Sequence, residues 1–100
     1  MNADITTILN TLTQSRNGYG RLRAMTGAFG FVTTKNGVSF RFKGSRKLNY
    51  CEITLNARDE YEMKVGKIIK YELKKVEEFG VLDVNMKDAF ERRTGLFLSL

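Results

Sequence analysis

Residues 29–43 run Phe29-Gly30-Phe31-Val32-Thr33-Thr34-Lys35-Asn36-Gly37-Val38-Ser39-Phe40-Arg41-Phe42-Lys43. Apolar and polar side chains alternate on both sides of Asn36-Gly37, the period of a half-buried β-strand. Asn-Gly is the preferred pair for a two-residue type I′ turn, because both central positions need positive φ. The stretch predicts a hairpin with strands near Phe29–Lys35 and Val38–Lys43. A turn at Asn36-Gly37 pairs Lys35 with Val38, Thr33 with Phe40 and Phe31 with Phe42. Phe29, Phe31, Phe40 and Phe42 then share one face, while Gly30, Val32, Thr34, Ser39, Arg41 and Lys43 share the other.

The segment Gly27-Ala28-Phe29-Gly30-Phe31-Val32-Thr33-Thr34 nearly matches an RNA-recognition strand, [KR]-G-[FY]-[GA]-F-V-x-[FY]. Such a strand turns its aromatics to solvent and its other face to the core. Here the other face would bury Arg41 and Lys43 with no acid near them in sequence, which is prohibitive without a partner. The four phenylalanines are therefore expected to point inward. The ends of the signature also fail, with Gly27 or Ala28 at the basic position and Thr34 at the last aromatic one. A cold-shock barrel fits "FGFVTT" and "VSFRF" better, but the polar opposite face argues against it too. The outward face would then carry Arg41 and Lys43, ringed by Lys35, Arg46 and Lys47.

Before the hairpin, Ile5, Ile8, Leu9 and Leu12 fall at i, i+3, i+4 and i+7, one face of an amphipathic helix that Asn2 or Asp4 caps. Tyr19 to Thr26 alternates Leu22, Ala24 and Thr26 with Arg21, Arg23 and Met25, and predicts a strand with a basic outer face. After the hairpin and a loop at Gly44-Ser45-Arg46-Lys47, Leu48–Leu55 predicts another strand. Tyr61, Met63 and Val65 predict one more, with Gly66-Lys67 as a bulge or turn. Ile68 to Phe79 fits strand or helix, and the β-branched pair with Tyr71 favours strand at its start. A final helix lines Leu82, Met86, Ala89 and Phe90 on one face, capped by Asp83 or Asn85 and stopped by Gly95. The apolar tail Leu96-Phe97-Leu98-Ser99-Leu100 is expected to dock. The fold class that follows is α+β: an N-terminal helix, an about five-stranded, mainly antiparallel sheet, and a C-terminal helix packed on one face.

One hundred residues make one domain, 1–100, and 42% apolar with 28% charged residues is an ordinary globular balance. No apolar run is long enough to span a membrane. Asp4, and the lack of a basic cluster before an apolar run, argue against a secretion signal. A single cysteine, Cys51, excludes an internal disulfide and suits a reducing cytosol. The chain has no histidine, which removes the commonest general base and metal ligand. One cysteine cannot build a zinc site, and no phosphate-binding glycine loop occurs. Asp59, Glu62 and Lys64 have only generic spacing for a metal-dependent nuclease. The chain is accordingly expected to be non-catalytic, with no cofactor and no metal.

Charge is more informative. The net charge is +6, and no acid occurs from Ile5 through Cys51, a window holding eight basic residues. A one-signed half creates a field that favours a polyanion or an acidic protein face. If the Tyr19–Thr26 strand pairs with the hairpin, Arg21, Arg23, Lys35, Arg41, Lys43, Arg46 and Lys47 form one basic patch, suited to phosphates rather than base edges. The expected partner is nucleic acid, DNA or RNA, or else an acidic host protein surface, and not a membrane. An exposed sheet edge invites a homodimer.

Taken whole, the chain resembles a family of small proteins of phage and other mobile elements. The residues that carry this are Ala24-Met25-Thr26-Gly27-Ala28, Ser39-Phe40-Arg41-Phe42-Lys43-Gly44, Asn49-Tyr50 with Ile53-Thr54-Leu55-Asn56, Asp59 with Tyr61, Gly66-Lys67-Ile68, Phe90-Glu91, Thr94-Gly95-Leu96 and Ser99-Leu100. The family pattern has Lys-Asn-Phe after Thr-Gly-Ala, where this chain has Phe29-Gly30-Phe31. No site residues carry over. What the resemblance implies is context: a bacterial host cytoplasm during infection, and an accessory rather than a virion role. From the basic face itself two functions are expected: binding nucleic acid, or else modulating a host enzyme or defence complex through an acidic surface.

Overall fold

A computed structural model describes residues 5–34, 36–43, 48–58, 60–81, 85–96 and 98. The order of elements is α1 (Ile5–Thr13), α2 (Gly18–Thr26), β1 (Phe29–Thr34), β2 (Gly37–Arg41), β3 (Tyr50–Leu55), β4 (Tyr61–Ile69), β5 (Glu72–Val81) and α3 (Met86–Thr94). The fold is α+β, with five antiparallel strands in the order β1-β2-β3-β4-β5. Two helices precede the sheet, where the sequence predicts one.

The extra helix is α2, over residues expected to form a strand. Leu22, Ala24 and Thr26 alternate, but Gly18, Leu22 and Thr26 also recur every four residues, and those three are the ones buried. Local bonds support the helix at both ends. The Asn10 side chain accepts from Gly18 N at 2.7 Å, and Asn17 caps the start by accepting from Gly20 N at 3.2 Å. Gly27 closes the other end in a left-handed conformation, its N–H donating to Arg23 O. Asn17-Gly18 thus starts a helix.

Helices α1 and α3 form where the periodicity places them. Ile8, Leu9 and Leu12 of α1 and Met86 and Phe90 of α3 are buried. Gly95 stops α3 with φ +75°. Each of the three helices ends in a buried threonine that donates its hydroxyl to the carbonyl four residues earlier: Thr13 to Leu9, Thr26 to Leu22 and Thr94 to Phe90. That back-bond satisfies a polar group that would otherwise be buried alone. The expected caps Asn2, Asp4 and Asp83, with Leu82, lie outside the described residues, and Asn85 makes no side-chain cap bond. Of the apolar tail, Leu98 docks in the core, its N–H donating to Glu91 Oε2 at 2.7 Å.

The core lies between the helices and one sheet face. Val38, Ile53, Met63 and Phe79 are successive partners across β2 to β5, and Phe40, Cys51 and Val65 form the next row. Phe90 of α3 packs its ring on Phe40 and Phe42 at 6.3 and 5.3 Å between centroids. Arg93 holds α3 over β5: its guanidinium lies 3.7 Å from the Phe79 ring centroid, and its Nε is 3.5 Å from Glu77 Oε2 without hydrogen-bond geometry.

The first hairpin differs from expectation in two ways. Thr34 pairs with Gly37, Thr33 with Val38 and Val32 with Ser39, so Gly37 belongs to β2 instead of the turn. It is a glycine because β3 runs close by: a Cβ would sit 2.1 Å from Ile53 O. Nearer its start β1 bulges at Gly30, which takes φ +65°, and beyond the bulge Phe29 pairs with Arg41. The bulge reverses which way Phe29 points. Phe40 and Phe42 are buried and Phe31 packs against the core, as expected, but Phe29 lies on the outer face and is 41% exposed.

The segment left open between strand and helix is strand. β4 continues to Ile69, a two-residue connection at Lys70-Tyr71 follows, and β5 returns. Gly66-Lys67 sits at a bulge, where Val65 pairs with Glu77 but Lys67 with Lys74. The one extra residue is on β5, where Lys75 and Val76 lie opposite Gly66, and Lys75 has φ +53°.

Candidate nucleic-acid interface

Phe29, Arg41, Tyr50 and Gly66 are successive partners across β1, β2, β3 and β4 on the face turned away from the helices. The Arg41 guanidinium carbon lies 5.5 Å from the Phe29 ring centroid, and Lys43 Nζ lies 5.2 Å from it. One exposed aromatic therefore has two cations beside it. Both contacts are of cation–π length. Among the described residues no acceptor reaches the buried Nε of Arg41. Lys43 is fixed through its backbone, its N–H donating to Thr26 O at 2.8 Å at the end of α2.

Tyr50 continues the row. Its hydroxyl donates to Glu52 Oε1 at 2.7 Å. Burial first, and then the Glu52 carboxylate, push the phenol up from 10.0 to about 12. Further along the sheet this face is mixed in sign, with Glu52, Lys64 and Glu78 in one row.

The other sequence-derived candidates separate. Because Tyr19–Thr26 is a helix, Arg21 and Arg23 do not lie on the sheet face. Arg21 is half-buried on α2. Arg23 is exposed and stands 5.5 Å from the Tyr19 ring, which packs at 4.6 Å on the inward-facing Phe31. Two aromatic–cation groups thus flank the β1 edge, Phe29 with Arg41 and Lys43 on the outer side, and Tyr19 with Arg23 on the helix side. Lys35, Arg46 and Lys47 lie outside the described residues. Arg16, not among the candidates, borders a cavity of about 320 Å³ between α1 and α2 with Ile5, Leu9 and Asn10.

Phe29 itself was missed as an exposed group. Its only sequence signal is Gly30, which breaks the alternation and is the residue type a bulge prefers. A second missed feature is the far end of the β4–β5 hairpin. β3 pairs with β4 only as far as Gly66, so Lys67–Lys74, Ile68–Leu73 and Ile69–Glu72 pair with each other alone. At three residues per strand, this arm reaches about 10 Å past β3. Asn49 steadies its base, accepting from Ile68 N at 2.7 Å and donating to Ile68 O at 3.2 Å. At its tip Tyr71 is 99% exposed, and Ile69, Leu73 and Val76 are also exposed.

Cys51 is fully buried in β3, and burial pushes its thiol well up, as suits a core residue. No described helix is long and apolar enough to cross a membrane. Compared with protein-family models, curated proteins and solved structures, the chain matches none.

Proposed function

We propose that this protein is a small phage or mobile-element accessory protein that binds nucleic acid without catalysis, through the basic part of its outer sheet face. The observation that carries this reading is Phe29 turned outward with Arg41 and Lys43 beside it. A part-exposed phenylalanine beside two cations suits a ligand that presents both phosphates and aromatic faces. The acid-free half from Ile5 through Cys51 supplies a field that draws a polyanion to this edge of the sheet. The resemblance to phage and mobile-element proteins supports the setting, a bacterial host cytoplasm.

The test is binding of labelled single-stranded DNA, duplex DNA and RNA across a salt series. Log K falls linearly with log salt, and the slope counts the phosphate contacts. Arg41→Glu combined with Lys43→Glu weakens binding about tenfold or more at about 50 mM salt. No binding of any nucleic acid at that salt refutes the reading.

A second reading is a modulator that docks on an acidic host enzyme or defence complex. One observation favours it: the arm carries Tyr71 as an exposed aromatic beside Lys70, Lys74 and Lys75, and a protein interface needs such an anchor. Tyr71→Ala then abolishes that interaction while leaving nucleic-acid binding intact.

A further inference from the structure

We infer that the ligand of this face is single-stranded nucleic acid, with an unpaired base stacked on the Phe29 ring and the adjoining phosphates held by Arg41 and Lys43. The inference rests on the nucleic-acid reading above and narrows it to one substrate class.

The bulge is the first ground. Three phenylalanines of this hairpin pack toward the core, and only the left-handed turn of backbone at Gly30 sends the fourth to the other side. Bulges re-aim side chains in this way beside functional sites. The second ground is the arrangement around the ring. Arg41 and Lys43 are both within 5.5 Å of its centroid, so the cations and the aromatic surface form one site. A duplex offers phosphates at such a site but keeps its base faces stacked inside, leaving the ring with nothing to cover. A single strand offers both in alternation, and base–aromatic stacking tolerates any sequence because every base has a π-face. The third ground is the row itself. Tyr50 stands two strands beyond Phe29 on the same line, with Arg41 between them. Adjacent strands lie about 4.8 Å apart, which sets the backbone positions of the two aromatics about 10 Å apart with that of Arg41 midway. A strand laid across β1 and β2 meets Phe29 and its two cations, and at β3 it meets the edge of the half-buried Tyr50, whose hydroxyl is bonded to Glu52.

The chain has no tryptophan, so Phe29→Trp introduces a sole indole at the platform. This variant is titrated with oligothymidylate of about ten nucleotides and, in parallel, with a duplex of the same length, at about 50 mM salt. The single strand is expected to quench the indole strongly and to bind at least about tenfold tighter than the duplex. In an anisotropy assay with the labelled oligothymidylate, Phe29→Ala loses about tenfold or more in affinity and Phe29→Tyr restores it. If single strand and duplex bind equally, the indole does not respond and Phe29→Ala changes nothing, the stacking inference is overturned while phosphate binding stands. If neither binds, and labelled single-stranded RNA does not bind either, both fall.

Discussion

At Gly30 the backbone takes φ +65°, and a Cβ added there would meet only Arg41 Cδ, at 3.9 Å. The site therefore has room for a side chain but not the backbone conformation for one. Gly30→Ala should lower stability by about 1–2 kcal/mol, the cost of left-handed backbone in a residue with a Cβ. Urea unfolding measures it, and an unchanged midpoint would show that the bulge is not held in that conformation. Tyr50 yields a pH prediction. Its folded pKa, about 12, lies above the ordinary 10.0, so the native state favours the protonated phenol. That contribution is complete below pH 10 and is lost as pH rises from about 10 toward about 12. Absorbance titration should show the Tyr50 phenol ionising late, as the part of the signal that Tyr50→Phe removes. Urea midpoints should fall across the same window, and Tyr50→Phe should flatten that fall. Neither residue advertises its role locally: Gly30 reads as a flaw in an alternation, and Tyr50 acquires its environment from Glu52 and the partner strands.

At the scale of elements, the sharpest departure from ordinary turn chemistry is the β4–β5 connection. Lys70 and Tyr71 have φ +51° and +68°, both in the region a type I′ turn needs and where glycine and asparagine are favoured. Tyr71 is 99% exposed, so replacing it costs no packing. The double change Lys70→Asn with Tyr71→Gly should stabilise the protein by about 1 kcal/mol or more, which raises Tm by about 4–8 °C in a domain of this size. A calorimetric scan decides it, and a lower Tm would mean the tip is held by contacts of Tyr71. The elements also show where periodicity suffices. α1 and α3 each carry a stripe wide enough to identify a helix, and β2, β3 and β4 alternate cleanly. α2 has only Leu22 as a large buried side chain, so periods of two and of four fit its sequence equally. Contacts far along the chain settle it, namely Tyr19 on Phe31 and Lys43 N–H on Thr26 O.

For the whole molecule, strand order follows chain order, so an asymmetry along the sequence becomes an asymmetry in space. The acid-free half builds α1, α2, β1 and β2, and all but one of the eleven acids fall at Glu52 or beyond. Cys51 reports on the integrity of this assembly. It is fully buried in the central strand with its thiol pushed up, so a thiol reagent should label it only when the sheet opens. Labelling at pH 8 should be negligible in native buffer and should rise with urea in step with global unfolding. Labelling under native conditions would reveal local opening between β2 and β4.

Legible in the chain itself were the mixed helix-and-strand class, the hairpin, the inward Phe31, Phe40 and Phe42, the docking of the apolar tail through Leu98, and the basic half. These follow from composition and from side-chain periods that act over a few residues. Contacts between elements placed Gly37 in a strand and turned Phe29 outward, and together with the local caps at Asn17 and Gly27 they made Gly18–Thr26 helical. A period of two tells which residues share a face only while the ladder is regular. One extra residue at Gly30 reverses it, and whether the ladder bulges is settled by the strand on the other side.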